Sequence, residues 1–249
     1  MQNSEMNNYF LTELTGRPVY SSKVIHIKKE IAVCVTGHRE KSVIPYKNDP
    51  ANSEITLFAV NAMLNGYLTA LVKKGYTTIL SGLAEGTDLW AANTALSIKR
   101  FAKECHLIGV MPFLKHYHKF SRQNKNILGT IEQYADYLVT TCDDPNVVYG
   151  PRITAFTDPQ IYRTRNYYMV DNSSVAVAFY NPNNPRSGTG QTVRYAQKQG
   201  KYILNFTLDD VYALIERTGS QRTAICSEMM NLKIDLPKAE YPLYFTYGK

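Results

Sequence analysis

The sequence lacks both glycine signatures that mark the common nucleotide enzymes: no GxGxxG follows its first apolar run, and no GxxxxGK[ST] phosphate loop is present. Those absences argue against an ordinary nicotinamide dehydrogenase and a P-loop NTPase. Cysteine is sparse as well. Cys34, Cys105, Cys142 and Cys226 are scattered with no CxxC pair, and Cys34 and Cys105 sit in apolar, strand-like runs. Reduced, buried thiols are expected rather than disulfides or zinc ligands. His106, His116 and His118 have no cysteine or carboxylate pair at zinc-ligand spacing, so no metal is expected, and no motif calls for a cofactor. No uninterrupted apolar run approaches bilayer-spanning length, and the start MQNSEMNNYF has no basic region followed by an apolar core. The expectation is a cytoplasmic protein with no membrane partner. The net charge of +7 is spread along 249 residues without a long Lys/Arg block. It suits an anionic ligand, and the missing basic stripe counts against nucleic acid.

What the sequence does have is a junction at Ile79–Ala92, ILSGLAEGTDLWAA. A β-branched approach runs into a turn holding Ser81, Gly82 and Gly86, and a helix takes over near Asp88. Such strand–loop–helix junctions aim free backbone N–H groups and the positive end of a helix dipole beyond the strand, so phosphate is the natural guest. Asp88 reads either as a helix N-cap or as the holder of a ligand hydroxyl. Trp90, beside two alanines, reads as core.

The flanking chain repeats the pattern. Residues 1–28 form an N-terminal extension. Ile31–Thr36 is a near-continuous apolar strand ending at Gly37-His38-Arg39, followed by a helix over Ser53–Lys74 with Ile55, Phe58, Ala59, Ala62, Met63, Tyr67 and Leu71 on one stripe. After the central junction, whose helix runs to about Lys103, strands are expected at Cys105–Met111, Asp136–Thr141, Ser174–Tyr180 and Tyr202–Phe206. Helices are expected within Lys115–Ala135, Ile161–Asn172, Thr192–Gln199 and Asp209–Arg217. Asp143–Pro159, rich in Pro, Gly and Asp, reads as a long loop. This order defines an α/β fold: a doubly wound, mostly parallel, Rossmann-like sheet over 29–206, with short N- and C-terminal extensions. Segment 207–249 is a helix and tail packed on the same domain. In such sheets ligands bind beyond the carboxyl ends of the strands.

Three turns meet that edge: Gly37-His38-Arg39, Ser81-Gly82 through Gly86-Thr87-Asp88, and Ser187-Gly188-Thr189-Gly190. Arg39 and Arg165 are the candidate clamps for phosphate oxygens. His38 is a candidate acid or base, or a residue hydrogen-bonded to loop backbone. Glu85 and Asp171 are candidates to act on a ribose hydroxyl or a water, while Asp171 reads equally as a turn or cap residue.

Strand–GHR, SGLAEGTDLWAA, a strand ending in Pro-Phe, RNxxMVD, a further strand, and SGT before a helix that ends in GK together resemble the SLOG superfamily, within it the YpsA-like branch, over about Ile31–Phe206. Its members also include Smf DNA-processing proteins and Lonely Guy phosphoribohydrolases. The resemblance implies a nucleotide or nucleotide-derived ligand, held by position at Gly37, Arg39, Ser81, Gly82, Gly86, Asp88, Arg165, Asn166, Ser187, Gly188 and Thr189. The hydrolase motif PGGxGTxxE is only partly matched. Pro185 and Arg186 stand for its paired glycines, and Thr192 for its Glu. Three functions follow in order: a nucleotide-binding protein acting as a sensor, a nucleoside-monophosphate phosphoribohydrolase, and an Smf-type DNA-binding protein. Whether there is turnover stays open. The apolar helix Ser53–Lys74 serves either as core cover or as a homodimer contact.

Overall fold

The computed structural model describes residues 9–44, 49–142, 144, 147 and 158–239. The chain opens with β1 (Tyr9–Leu11), β2 (Pro18–Ser21), β3 (Ala32–Gly37), α1 (Glu40–Val43), α2 (Pro50–Lys73) and β4 (Thr78–Ser81). It continues through α3 (Thr87–Lys99), β5 (His106–Met111), α4 (Arg122–Tyr134), β6 (Tyr137–Thr140) and α5 (Pro159–Asp171). It closes with β7 (Val175–Phe179), α6 (Gly188–Lys198), β8 (Tyr202–Phe206), α7 (Leu208–Arg217) and α8 (Arg222–Met230). The strands form one sheet in the order β1-β2-β6-β5-β4-β3-β7-β8, parallel throughout except for the β1–β2 hairpin.

Both faces are covered, which is why the central strands read as unbroken apolar runs. Val33 and Val35 of β3 point into the layer of α2, α3, α4, α7 and α8, and Ala32 and Cys34 point into the layer of α5 and α6. The doubly wound expectation is met. Winding runs outward from β3 to β6, then returns to the other side of β3 at β7. The sheet's topological switch therefore lies between β3 and β7, and the crevice beyond their carboxyl ends is the expected ligand position.

α2 starts where Asp49 accepts a hydrogen bond from the Asn52 amide (3.2 Å), with Pro50 in the first turn, a position where its missing N–H costs nothing. Burial extends beyond the expected stripe: Val60, Leu64, Leu68 and Val72 are buried with Ala59, Met63 and Leu71. By length and composition α2 is apolar enough to cross a bilayer, yet most of its most apolar stretch is buried inside this fold. A Cβ on its Gly66 would lie 2.8 Å from the Met229 carbonyl of α8, so the two helices cross in close contact. At about 1.5–3 kcal/mol for each fully buried large apolar side chain, this packing accounts for the hydrophobicity of α2. It is a core helix.

The termini do more than the sequence suggested. The 1–28 segment supplies β1 and β2, and β2 pairs with β6. Beyond α7 a further helix, α8, is present, and the chain then returns to Lys74, whose carbonyl accepts from the Ala239 amide at 2.8 Å. The expected loop at 143–159 and the tyrosine-rich 241–247 lie mostly or wholly outside the described residues. Cys34 and Cys105 are buried, and none of Cys34, Cys105, Cys142 and Cys226 forms a disulfide.

Candidate functional site

Beyond β3 and β7 lies a cleft of about 330 Å³. One wall is the end of β3 and its turn, Thr36 through Arg39; facing it is the start of α6, Ser187 through Thr189; α5 supplies Tyr162, Arg165 and Asn166, and the α3 side supplies Ala84, Glu85 and Asp88. A second lobe of about 340 Å³ shares Arg39, Ala84, Glu85, Tyr162 and Arg165 and adds His116, Lys119, Phe120 and Pro159. Nine of the expected ligand-binding residues line the first lobe: Gly37, His38, Arg39, Asp88, Arg165, Asn166, Ser187, Gly188 and Thr189.

Ser81, Gly82 and Gly86 do not line it. Ser81 is fully buried and donates its hydroxyl to the Asp88 carbonyl at 2.7 Å. A Cβ on Gly82 would fall 1.5 Å from Arg165 Nη1, so Gly82 makes room for the guanidinium rather than for a ligand. Gly86 (φ +90°) packs on the backbone of His38 to Glu40 and is itself the N-cap of α3. The Thr87 amide and hydroxyl both donate to the His38 carbonyl, at 3.2 and 2.8 Å. The junction that dominates the sequence is thus the floor of the cleft, and the first amide of its helix, that of Thr87, is already taken by the His38 carbonyl.

Asp88 is the second residue of α3 rather than its cap. Its carboxylate faces Arg165, with Nη1 to Oδ2 at 3.2 Å and both side chains nearly inaccessible. Burial raises the Asp88 carboxyl above its ordinary range, against the pull of the guanidinium. Burial likewise lowers Arg165, which Asp88 opposes. Arg165 Nε is buried with no hydrogen-bond partner. A buried guanidinium with one modest contact and an idle donor is under-compensated, and an anion in the cleft would relieve it.

At α6, Ser187 caps the helix by accepting from the Gly190 amide at 3.0 Å, and the Thr189 hydroxyl donates to the Gly37 carbonyl at 2.9 Å, tying the two walls together. The first two helical amides, Gly188 and Thr189, make no hydrogen bond among the described residues. Here the open helix terminus lies, four residues before the Thr192 at which the helix was expected to begin. Gly188 and Gly190 read as a turn in the sequence. In the structure Gly190 is needed because a Cβ would meet the Pro185 carbonyl at 2.7 Å.

His38 Nε2 accepts from the Asn181 amide at 2.9 Å, and burial lowers its pKa, so the ring is a neutral loop fastener with its proton on Nδ1. Glu85 lines both lobes, and its Oε1 accepts from the Ser121 amide and Asn124 Nδ2, each at 3.0 Å. Of the two readings of Asp171, its place in the structure fits the helix-end one. It ends α5 at the opposite edge of the sheet and accepts from the Tyr195 hydroxyl at 2.9 Å, so it cannot act on a ligand in the cleft. Trp90 is buried in the core. Among the described residues no group of three or more His, Cys, Asp or Glu is placed to hold a metal ion. His116, weighed in the sequence only for metal binding, lines the second lobe with Tyr162, of the tyrosine-bearing helix that the sequence offered for packing or a nucleobase pocket, and with Phe120; their approach depends on α5 packing against the segment after β5, which no local pattern encodes.

Fold and crevice together define a Rossmann-like α/β protein with an open cleft at the topological switch point. The chain belongs to the YpsA family: the family profile described as the YspA SLOG family matches residues 33–211. It is 23% identical over 187 residues to a UPF0398 protein of Bacillus velezensis, covering 74% of this chain and 95% of the relative. It is 21% identical over 187 residues to the UPF0398 protein YpsA of Bacillus subtilis, covering 74% and 96%. A UPF0398 protein of Lactiplantibacillus plantarum is 21% identical over 155 residues, covering 62% and 75%.

Proposed function

We propose that the protein binds a nucleotide or nucleotide-derived small molecule in this cleft, in the cytoplasm, as a sensor. One observation carries the reading: the buried Arg165 guanidinium, with Nε unpartnered, lines the same cleft as the two unpaired amides at the start of α6. A helix N-terminus and a guanidinium both favour phosphate oxygens. Arg39, exposed on the rim of both lobes, adds a third donor group.

Phosphorus NMR of nucleoside mono-, di- and triphosphates titrated with protein tests this. The expected result is broadening and shift of one class of phosphate resonance, absent with Gly188→Asp. A Cβ at Gly188 meets nothing within 4 Å, and an acidic residue suits a helix N-terminus, so that variant keeps its fold while repelling the anion. Unchanged spectra with folded wild-type protein would overturn the reading. A hydrolytic role has one residue in its favour: Glu85, whose Oε2 accepts no hydrogen bond among the described residues. Release of free base from nucleoside monophosphates, lost in Glu85→Gln, is the assay for it.

A further inference from the structure

The two lobes differ in chemistry, and the difference orients the ligand. The first offers what a phosphate needs: the unpaired amides of Gly188 and Thr189 at a helix start. The second is walled by rings. Tyr162 meets Phe113 edge-on at 6.0 Å between centroids, and His116 meets Phe120 edge-on at 5.7 Å. His116 has no donor to spare for a phosphate: Nδ1 lies 3.0 Å from the Phe113 carbonyl and Nε2 3.3 Å from the Leu83 carbonyl. Glu85, on the boundary of both lobes with one oxygen unengaged, can accept from an N–H on a base edge, and Lys119, which lines the second lobe alone, can donate to a carbonyl or ring nitrogen.

We propose that the ligand is a nucleoside phosphate bound across both lobes, with its phosphate at the start of α6 beside Arg165 and Arg39, its base in the second lobe against Tyr162 and Phe120, and its sugar between them. This rests on the reading that the cleft binds a nucleotide. It adds that the base is recognised, so a sugar phosphate alone is a poor ligand. Stacking of a base on an aromatic ring corresponds to about 5- to 150-fold in affinity.

Calorimetric titration of wild type, Tyr162→Leu, Phe120→Leu and Gly188→Asp with the four common nucleoside monophosphates and with ribose 5-phosphate tests it. Wild type should prefer its best nucleotide to ribose 5-phosphate by that factor. Tyr162→Leu or Phe120→Leu should shrink the ratio several-fold while leaving ribose 5-phosphate affinity as it was, and Gly188→Asp should weaken both ligands alike. Equal wild-type affinity for nucleotide and sugar phosphate would overturn the assignment of the base while leaving an anion site at α6 intact. Loss of ribose 5-phosphate binding in both ring variants, with their folds intact by circular dichroism, would also overturn it. If no ligand binds wild type, the nucleotide reading and this inference fall together.

Discussion

Replacing His116 by Gln should remove a definite part of the protein's acid sensitivity. The ring is buried beneath the second lobe with both nitrogens against carbonyl oxygens, although a neutral imidazole can donate from only one. Burial lowers its pKa from 6.5 to about 4, helped by the Arg165 charge and only partly opposed by the carbonyls of Phe113 and Leu83. Above 6.5 the ring is neutral folded and unfolded, and it contributes nothing to pH dependence. Between 6.5 and about 4 the unfolded chain takes up a proton that the folded protein refuses, so stability falls as the pH falls. At pH 4 the accumulated loss is about 3 kcal/mol, from a displacement of about 2.5 pK units at 1.36 kcal/mol each, less the half-protonation already reached in the fold. Carboxylates titrate in the same window, so the useful quantity is the difference between wild type and His116→Gln. Urea midpoints at pH 7, 6, 5 and 4 can be read from the fluorescence of Trp90, the single tryptophan. The stability gap should move by about 2–4 kcal/mol in favour of the variant between pH 7 and 4. Parallel curves would refute a neutral, proton-excluding His116.

Arg165→Met should cost about 3–5 kcal/mol by stranding the buried Asp88 carboxylate, and adding Asp88→Asn should recover part of that; thermal unfolding of the two variants checks it. Glu132 is buried beneath the β1–β2 hairpin, where it accepts from Thr15 Oγ1 at 2.8 Å, and burial raises its pKa. A carboxyl raised in the fold is penalised as the pH rises past its ordinary value, so Glu132→Gln should be more stable than wild type at pH 7 and lose that advantage in acid. Asp49→Ala should lower stability by about 1 kcal/mol through loss of the α2 cap, read as a shift in the urea midpoint.

The parallel core was legible because burial on both faces writes apolar runs into β3, β4, β5 and β7. The β1–β2 hairpin was not: its strands are short, and Tyr9 and Leu11 stay exposed at the sheet edge, so no periodic signal marks them. Local chemistry placed the three turns on one edge and offered both the Ser81–Asp88 and Ser187–Gly190 turns to a phosphate, but it could not tell that Gly82 and Gly86 face protein while Gly188 lines the cleft. The Ser81–Asp88 turn is glycine-rich because Gly82 lies under Arg165 and Gly86 lies against the His38 turn, contacts made across 83 and 48 positions of chain respectively. The Asp88–Arg165 pair spans 77 positions. Glu85 and Asp171 looked equivalent in sequence, and only topology sends one to the cleft and the other to the far edge. Cleft and decoy are separated by fold, not by residue type.

The central claim is that a nucleotide binds at the start of α6 beside Arg165. Thermal unfolding of wild type and Gly188→Asp against nucleoside mono-, di- and triphosphates, cyclic nucleotides, NAD and ADP-ribose tests it most directly. A ligand at about a hundred times its dissociation constant should add about 2.7 kcal/mol to wild-type stability and nothing to the variant. A flat wild-type panel, or a stabilising nucleotide that works equally on Gly188→Asp, would contradict it.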